Sequence, residues 1–243
     1  VTTRLALHGF TGSPHSWDFV PRMTGEQWLT PALVGHAQSQ AEVSVSHFEH
    51  EVVRLAALAE SAGRVTLIGY SLGARLALGV ALAAPHAVER LLLISGHFGL
   101  DSAADQEQRR AADAAWVELL QVRGLAEFVA AWEAQPLWAT QRHLPAAIRQ
   151  RKHAERMSHD ALGLARSLRV TGLAEMPSYR ARLPEIRIPT TIVAGALDRK
   201  FCDLGRVLTA AIPQATLELV PEAGHDLLLE RPELITEVIR RGS

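Results

Sequence analysis

Cysteine is almost missing from this chain. The single Cys202 in 243 residues excludes an intramolecular disulfide and fits a reducing compartment. No Cys/His cluster has the spacing of a zinc site, so neither a metal nor a cofactor is expected. An excess of charge is missing too: 25 Lys+Arg against 26 Asp+Glu leave a formal net charge of -1. The whole molecule therefore has no field to draw it to nucleic acid or to an anionic membrane, and any charge-based recognition must be local. There is no basic patch or amphipathic anchor, and no run approaches the length of a spanning helix. The opening "VTTRLALHGF" lacks a basic-then-apolar signal peptide and a cleavage site, which points to a cytoplasmic protein. It also starts almost at once with a strand, so the outer hairpin common in such architectures is either absent by nature or removed. Internal repeats and low-complexity linkers are absent as well.

What is present is a composition of 48% hydrophobic and 21% charged residues, enough for one soluble globular domain with room for an insertion. Short apolar runs alternate with amphipathic stretches: "TRLALHG" (3–9), "RVTLIGY" (64–70), "RLLLISG" (90–96), "TTIVAGA" (190–196) and "ATLELVP" (215–221). Runs that are apolar on both faces suit strands of a parallel sheet buried between helices. Helical patterns fall at about 47–62, 72–84, 203–212 and 230–241, so the order is βαβα and the class α/β. The interval from about 98 to 183 breaks the alternation, with helical periodicity around "AAWVELL" and "LAEFVAAWEA" and little strand signal. The expected organisation is a core over 1–97 and 184–243 with an inserted helical lid over 98–183.

Gly69-Tyr70-Ser71-Leu72-Gly73 stands between a strand and a helix, the sequence form of a sharp turn that exposes a serine hydroxyl above a sheet. Serine chemistry needs a base within hydrogen-bond reach and a carboxylate to orient that base. Asp198 in "GALD" and His225 in "EAGHD" each follow a strand, and the order Ser, Asp, His is that of the α/β-hydrolase fold, a mostly parallel sheet flanked by helices. Asp203 competes for the acid role, but the strand terminus favours Asp198. Backbone N–H groups of Phe10 and Leu72 are placed to form an oxyanion hole. His8 and Gly9 are expected to shape the first loop, while Thr11 and Ser13 are either within reach of a ligand or held in turn hydrogen bonds.

Arg75 shares a helix face with Ser71, four residues on. A charge buried beside the elbow is costly unless paired. It either bridges to an acid of the insertion or awaits an anionic substrate, since guanidinium fits carboxylates bidentately.

The runs "LHGFTGS", "GYSLGAR", "SGHFGL", "EQRRAADAAW", "FVAAWEAQPLW", "LARSLR", "LPEIRIPTTIVAGALDRKF" and "PEAGHDLLLE" carry a resemblance over nearly the whole chain. They are similar to the 2-succinyl-6-hydroxy-2,4-cyclohexadiene-1-carboxylate synthases of menaquinone biosynthesis. The resemblance implies a lyase that eliminates pyruvate from 2-succinyl-5-enolpyruvyl-6-hydroxy-3-cyclohexene-1-carboxylate, with the Ser71, His225 and Asp198 set serving as base. It also implies substrate contacts from Tyr70, Arg75, Arg109 and Trp132. The third family arginine matches Arg156, with Arg151 as the weaker match. The implied partner is a small anionic molecule. The pattern departs from the superfamily in "PALVGHAQSQ", where Gly35-His36 remains but Ala32, Val34 and Ala37 replace an aspartate, a proline and a glycine. Ala74 stands where the family often has glycine. Two other readings use the same residues: a carboxylesterase or carbon–carbon bond hydrolase acting on a small anionic substrate, and a ligand-binding module without turnover.

Overall fold

The computed structural model describes residues 2–36 and 45–241; Ala37 lies outside them. Six strands, β1 (Thr2–Leu7), β2 (Glu26–Leu29), β3 (Val65–Tyr70), β4 (Val88–Ile94), β5 (Thr190–Gly195) and β6 (Ala215–Val220), form one sheet in the order β2-β1-β3-β4-β5-β6. Every pairing is parallel. The short β2 has no apolar run to announce it, because it is a four-residue edge strand with part-exposed side chains. A buried ion pair between Arg4 and Glu26, 2.7 Å apart, ties it to β1.

Alternation along the strands decides which helices lie on each face. Leu5, Leu7, Val65 and Leu67 point to one side, against α1 (Phe48–Ser61), α2 (Leu72–Ala83) and α7 (Arg199–Ala211). Ala6, Ile68 and Tyr70 point to the other, against Trp17, α8 (Leu227–Glu230) and α9 (Pro232–Arg240). Two helix boundaries differ from the periodicity. α7 begins at Arg199 because Asp198 caps it, accepting the Phe201 N–H at 3.4 Å. The last helical stretch divides before Pro232, which cannot continue the preceding turn.

Between β4 and β5 run α3 (Ala103–Val122), α4 (Leu125–Glu133), α5 (Ala146–Met157) and α6 (Ala161–Thr171). Phe128, Val129, Leu120, Leu164 and Leu168 make a separate apolar cluster, and Phe10 and Trp132 pack against it. These helices thus sit over the carboxyl ends of β1 and β3. There the strand order reverses direction, since β1 leads outward to β2 while β3 leads on to β4, a crevice where α/β sheets bind ligands.

Removing one member of a buried ion pair leaves the other charge desolvated. Glu26→Ala is expected to lower stability by about 3 kcal/mol. Urea unfolding measures it, and a loss within error of zero would show that β2 is held by its backbone ladder alone.

Candidate active site

The turn from β3 into α2 is built on close backbone approach. A Cβ on Gly69 would lie 2.4 Å from the Gly73 carbonyl oxygen, and one on Gly73 would lie 2.1 Å from that of Leu7. Only glycine fits at either position. Ser71 between them takes φ 52°, ψ -106°, a conformation rare for a residue with a side chain. The strained turn lifts its hydroxyl out of the sheet and leaves the Leu72 N–H, at the first position of α2, without an intrahelical acceptor. Among the described residues the Phe10 and Leu72 amides have no acceptor.

Ser71 Oγ lies 3.0 Å from His225 Nε2, and His225 Nδ1 lies 2.9 Å from Asp198 Oδ2. The carboxylate accepts from Nδ1–H, which leaves Nε2 free to accept the serine proton. His225 is buried, with the rings of Phe201, Trp138 and Tyr70 centred 4.4, 5.6 and 5.8 Å away. Its backbone is held as well: Ser95 Oγ donates to the His225 carbonyl at 2.9 Å, and Glu230 Oε2 accepts the preceding Gly224 N–H at 2.7 Å. Burial raises the Glu230 carboxyl above its ordinary range. Asp203 instead pairs with Arg206 on the exposed side of α7.

The loop that carries Phe10 rests on two buried histidines. His36 Nε2 accepts the Thr11 N–H at 3.1 Å and His8 Nε2 accepts the Leu33 N–H at 3.2 Å, while each Nδ1 faces a backbone carbonyl. An imidazole accepts at one nitrogen only while neutral. Burial supplies that neutrality, holding His8 at about 4 and His36 well below its usual value, where neighbouring His8 and His159 add to the effect. Thr11, at φ 61°, keeps its strained backbone through this contact. The Gly35-His36 remnant of the superfamily loop therefore has a structural task. Ser13 stands in a turn, where its N–H donates to Ser16 Oγ at 3.0 Å and its carbonyl accepts the Ser16 N–H at 2.9 Å, and its hydroxyl donates to Glu155 of α5 at 2.8 Å.

Above Ser71 opens a cavity of about 300 Å³, lined by Tyr70, Arg75, His97, Arg109, Trp132 and Lys200 among others. Arg75 makes no ion pair among the described residues; Nη1 donates to the Thr171 carbonyl of α6 at 2.8 Å. Its guanidinium is pushed down to about 9, first by burial, then by Arg109, with Asp113 opposing. Arg109 pairs with buried Asp113 at 2.9 Å, so it is not a free helix charge. Lys200 is lowered by burial and by Arg109, against the pull of Asp198. Trp132 stacks on Phe128 and meets Phe10 edge-on while still facing the cavity.

Arg156 lies elsewhere, in an adjoining cavity of about 770 Å³ that shares Phe10, Tyr70 and Trp138 with the first. It is buried, bonded to Glu133 at 2.8 Å and set over the Trp138 ring, with Nε and Nη2 lacking partners among the described residues. Arg151 lines the same second cavity. Tyr70 is kept protonated by burial, with Asp226 adding to the shift. Sequence reasoning missed Lys200, His97 and Asp113. For Lys200 the signal was available, two positions after the strand-end aspartate; for the others nothing local announces the role. Among the described residues no cluster of His, Cys, Asp and Glu is placed to hold a metal, and no helix is long and apolar enough to cross a membrane.

Residues 5–238 match the model of the alpha/beta hydrolase family. A 2-succinyl-6-hydroxy-2,4-cyclohexadiene-1-carboxylate synthase from Serratia proteamaculans (strain 568) is 32% identical over 96% of this chain and 90% of its own length. The solved structure of MenH from S. aureus superimposes with a TM-score of 0.93 at 29% identity, covering 98% of this chain and 91% of that one. A thermophilic esterase from Thermogutta terrifontis, solved with malate bound, gives a TM-score of 0.82 at 25% identity, covering 100% and 89%.

The buried histidines set an acid limit. Unfolded, His8 and His97 take up protons as pH falls through 6.5; folded, they stay neutral down to about 4 and 3. The unfolded state then binds more protons, so stability is full above that range and declines as pH falls from about 6.5 toward 3. The urea midpoint is expected to drop over this window, and less steeply in His8→Gln. Equal slopes in the two proteins would remove His8 from the account.

Proposed function

The chain belongs to the alpha/beta hydrolase family, and within it we propose that the protein is a carbon–oxygen lyase of menaquinone biosynthesis, working in the cytoplasm. It eliminates pyruvate from 2-succinyl-5-enolpyruvyl-6-hydroxy-3-cyclohexene-1-carboxylate to give 2-succinyl-6-hydroxy-2,4-cyclohexadiene-1-carboxylate. One observation carries the reading: a hydrogen-bonded Ser71, His225 and Asp198 chain opens onto a cavity whose charged lining is mainly cationic, through Arg75, Arg109 and Lys200. The similarity to synthases of that name supports it. A neutral ester would gain nothing from desolvated guanidinium groups, whereas a substrate with several carboxylates offsets their burial.

The proposed steps use the side chains and amides of this site. Asp198 holds His225 in the tautomer that accepts the Ser71 proton. The serine oxygen takes a proton from the acidic ring carbon, and the C–H electron pair moves into the ring as the bond to the enolpyruvyl oxygen breaks. Pyruvate leaves as its enolate and is protonated at carbon, while negative charge gathering on the succinyl carbonyl meets the Phe10 and Leu72 amides. Arg75 and Arg109 hold carboxylates, Tyr70 and Trp132 contact the ring, and Arg156 reaches the substrate from the second cavity. Residues 98–183 act as a lid that brings Arg109 and Trp132 over the serine and excludes water.

The test mixes purified protein with freshly generated substrate and follows pyruvate release. Ser71→Ala is expected to lose roughly 10³-fold or more in kcat. Arg75→Ala should lose about 10²-fold in kcat/KM, the scale of one charge-assisted pair. No release above the spontaneous rate from folded protein would overturn the lyase. Ester hydrolysis of an anionic substrate, lost in both variants, would then favour the carboxylesterase or carbon–carbon bond hydrolase reading, which the likeness to the malate-bound esterase supports.

A further inference from the structure

Among the cations of the first cavity stands one polar ring that carries no charge. His97 follows β4, is buried, and lines the same cavity as Arg75, Arg109 and Lys200, whose charges act on its ring. Its Nδ1 accepts the Gly99 N–H at 3.0 Å. A nitrogen that accepts bears no proton, so in the neutral ring the proton sits on Nε2. Burial and the three cations keep the ring neutral, at about 3. Nε2 finds no acceptor among the described residues, yet it is not sealed from solvent. The ring is therefore a fixed, uncharged donor with an unused N–H beside the carboxylate-binding groups.

We propose that His97 is a specificity-determining residue that donates Nε2–H to an uncharged oxygen of the substrate, the ring hydroxyl next to the ring carboxylate. This rests on the function proposed above. There the arginines take the carboxylates and the Phe10 and Leu72 amides take the carbonyl at the reacting centre. Two uncharged oxygens are then left without a partner, the enolpyruvyl ether oxygen and the ring hydroxyl; the first departs with pyruvate, whereas the hydroxyl stays on the ring throughout and suits a contact that selects the substrate. A neutral donor suits it, because a further cation would favour one more carboxylate instead. A ligand lacking the hydroxyl would leave the N–H unsatisfied in a partly desolvated wall, which lowers its affinity.

Two probes isolate the contact: trans-2-hydroxycyclohexanecarboxylate, a cyclic β-hydroxy acid, and cyclohexanecarboxylate, which lacks only the hydroxyl. Calorimetric titration of wild type is expected to show the hydroxy acid binding about five- to tenfold more tightly. His97→Gln, which keeps an N–H donor, should retain most of that preference. His97→Phe, which keeps a ring without the donor, should bind both probes equally. Cyclohexanecarboxylate affinity shows that each variant's cavity is intact, and ¹⁵N-edited spectra of the histidine rings report the Nε2–H tautomer directly. A preference that survives His97→Phe, or a proton found on Nδ1, overturns the proposal while leaving the carboxylate site standing. Neither probe binding, or Arg75→Ala leaving both affinities unchanged, overturns the carboxylate site and the proposal together.

Discussion

The packing of the α2 amino terminus against the end of β1 is the constraint on which the rest of the site depends. Gly73 touches the Leu7 and His8 carbonyls so closely that no Cβ fits between them. This contact forces Ser71 into its strained conformation and sets the Leu72 amide near the loop that carries Phe10. The strain is held from several sides. Gly69 closes under the turn, the Ser71 N–H donates to the Ile94 carbonyl of β4, and two neutral histidines fix the Phe10 loop. Ser71 and the Leu72 amide therefore follow β3 and the Phe10 amide follows β1, yet all three share one rigid corner of the sheet.

Around that corner the protein handles charge by placement rather than by quantity. A chain with a formal net charge of -1 gathers Arg75, Arg109 and Lys200 at a single cavity and sets one buried acid, Asp113, among them. Asp113 binds Arg109 directly and acts on Arg75 through space, so it limits their mutual repulsion without filling either guanidinium. The histidines nearby are held neutral by burial, which adds donors and acceptors where further positive charge would be repelled. The same low dielectric that makes these groups costly when unpaired strengthens their attraction for a carboxylate.

Much of the fold was legible along the chain because its signals are periodic and local. Five apolar runs match five strands closely, and α1 and α2 fall within a residue of their periodic stretches. β2 escaped because "EQWL" is short and lies at a half-wet edge, where nothing demands an apolar run. The start of α7 was displaced because its cap is Asp198, the same side chain that faces His225. That early start also carries Lys200 to the cavity on the first turn. The arginines were only partly separable: Arg75 and Arg109 converge, whereas Arg156 is turned into the neighbouring cavity by Glu133 and Trp138.

By itself the sequence determined the elbow, the order of Ser71, Asp198 and His225, and the class of sheet that presents them. Each is a matter of spacing within a few residues or of side-chain alternation, and both act along the chain. Only the tertiary structure decided which cations meet at one cavity, which histidines stay uncharged, and on which nitrogen each imidazole holds its proton. Those properties come from burial and, for His8, His36 and His225, from contacts between residues 25 to 154 positions apart, as with His8 and Leu33 or His225 and Ser71. Desolvation and Coulomb interaction depend on distance in space, to which separation along the chain is no guide.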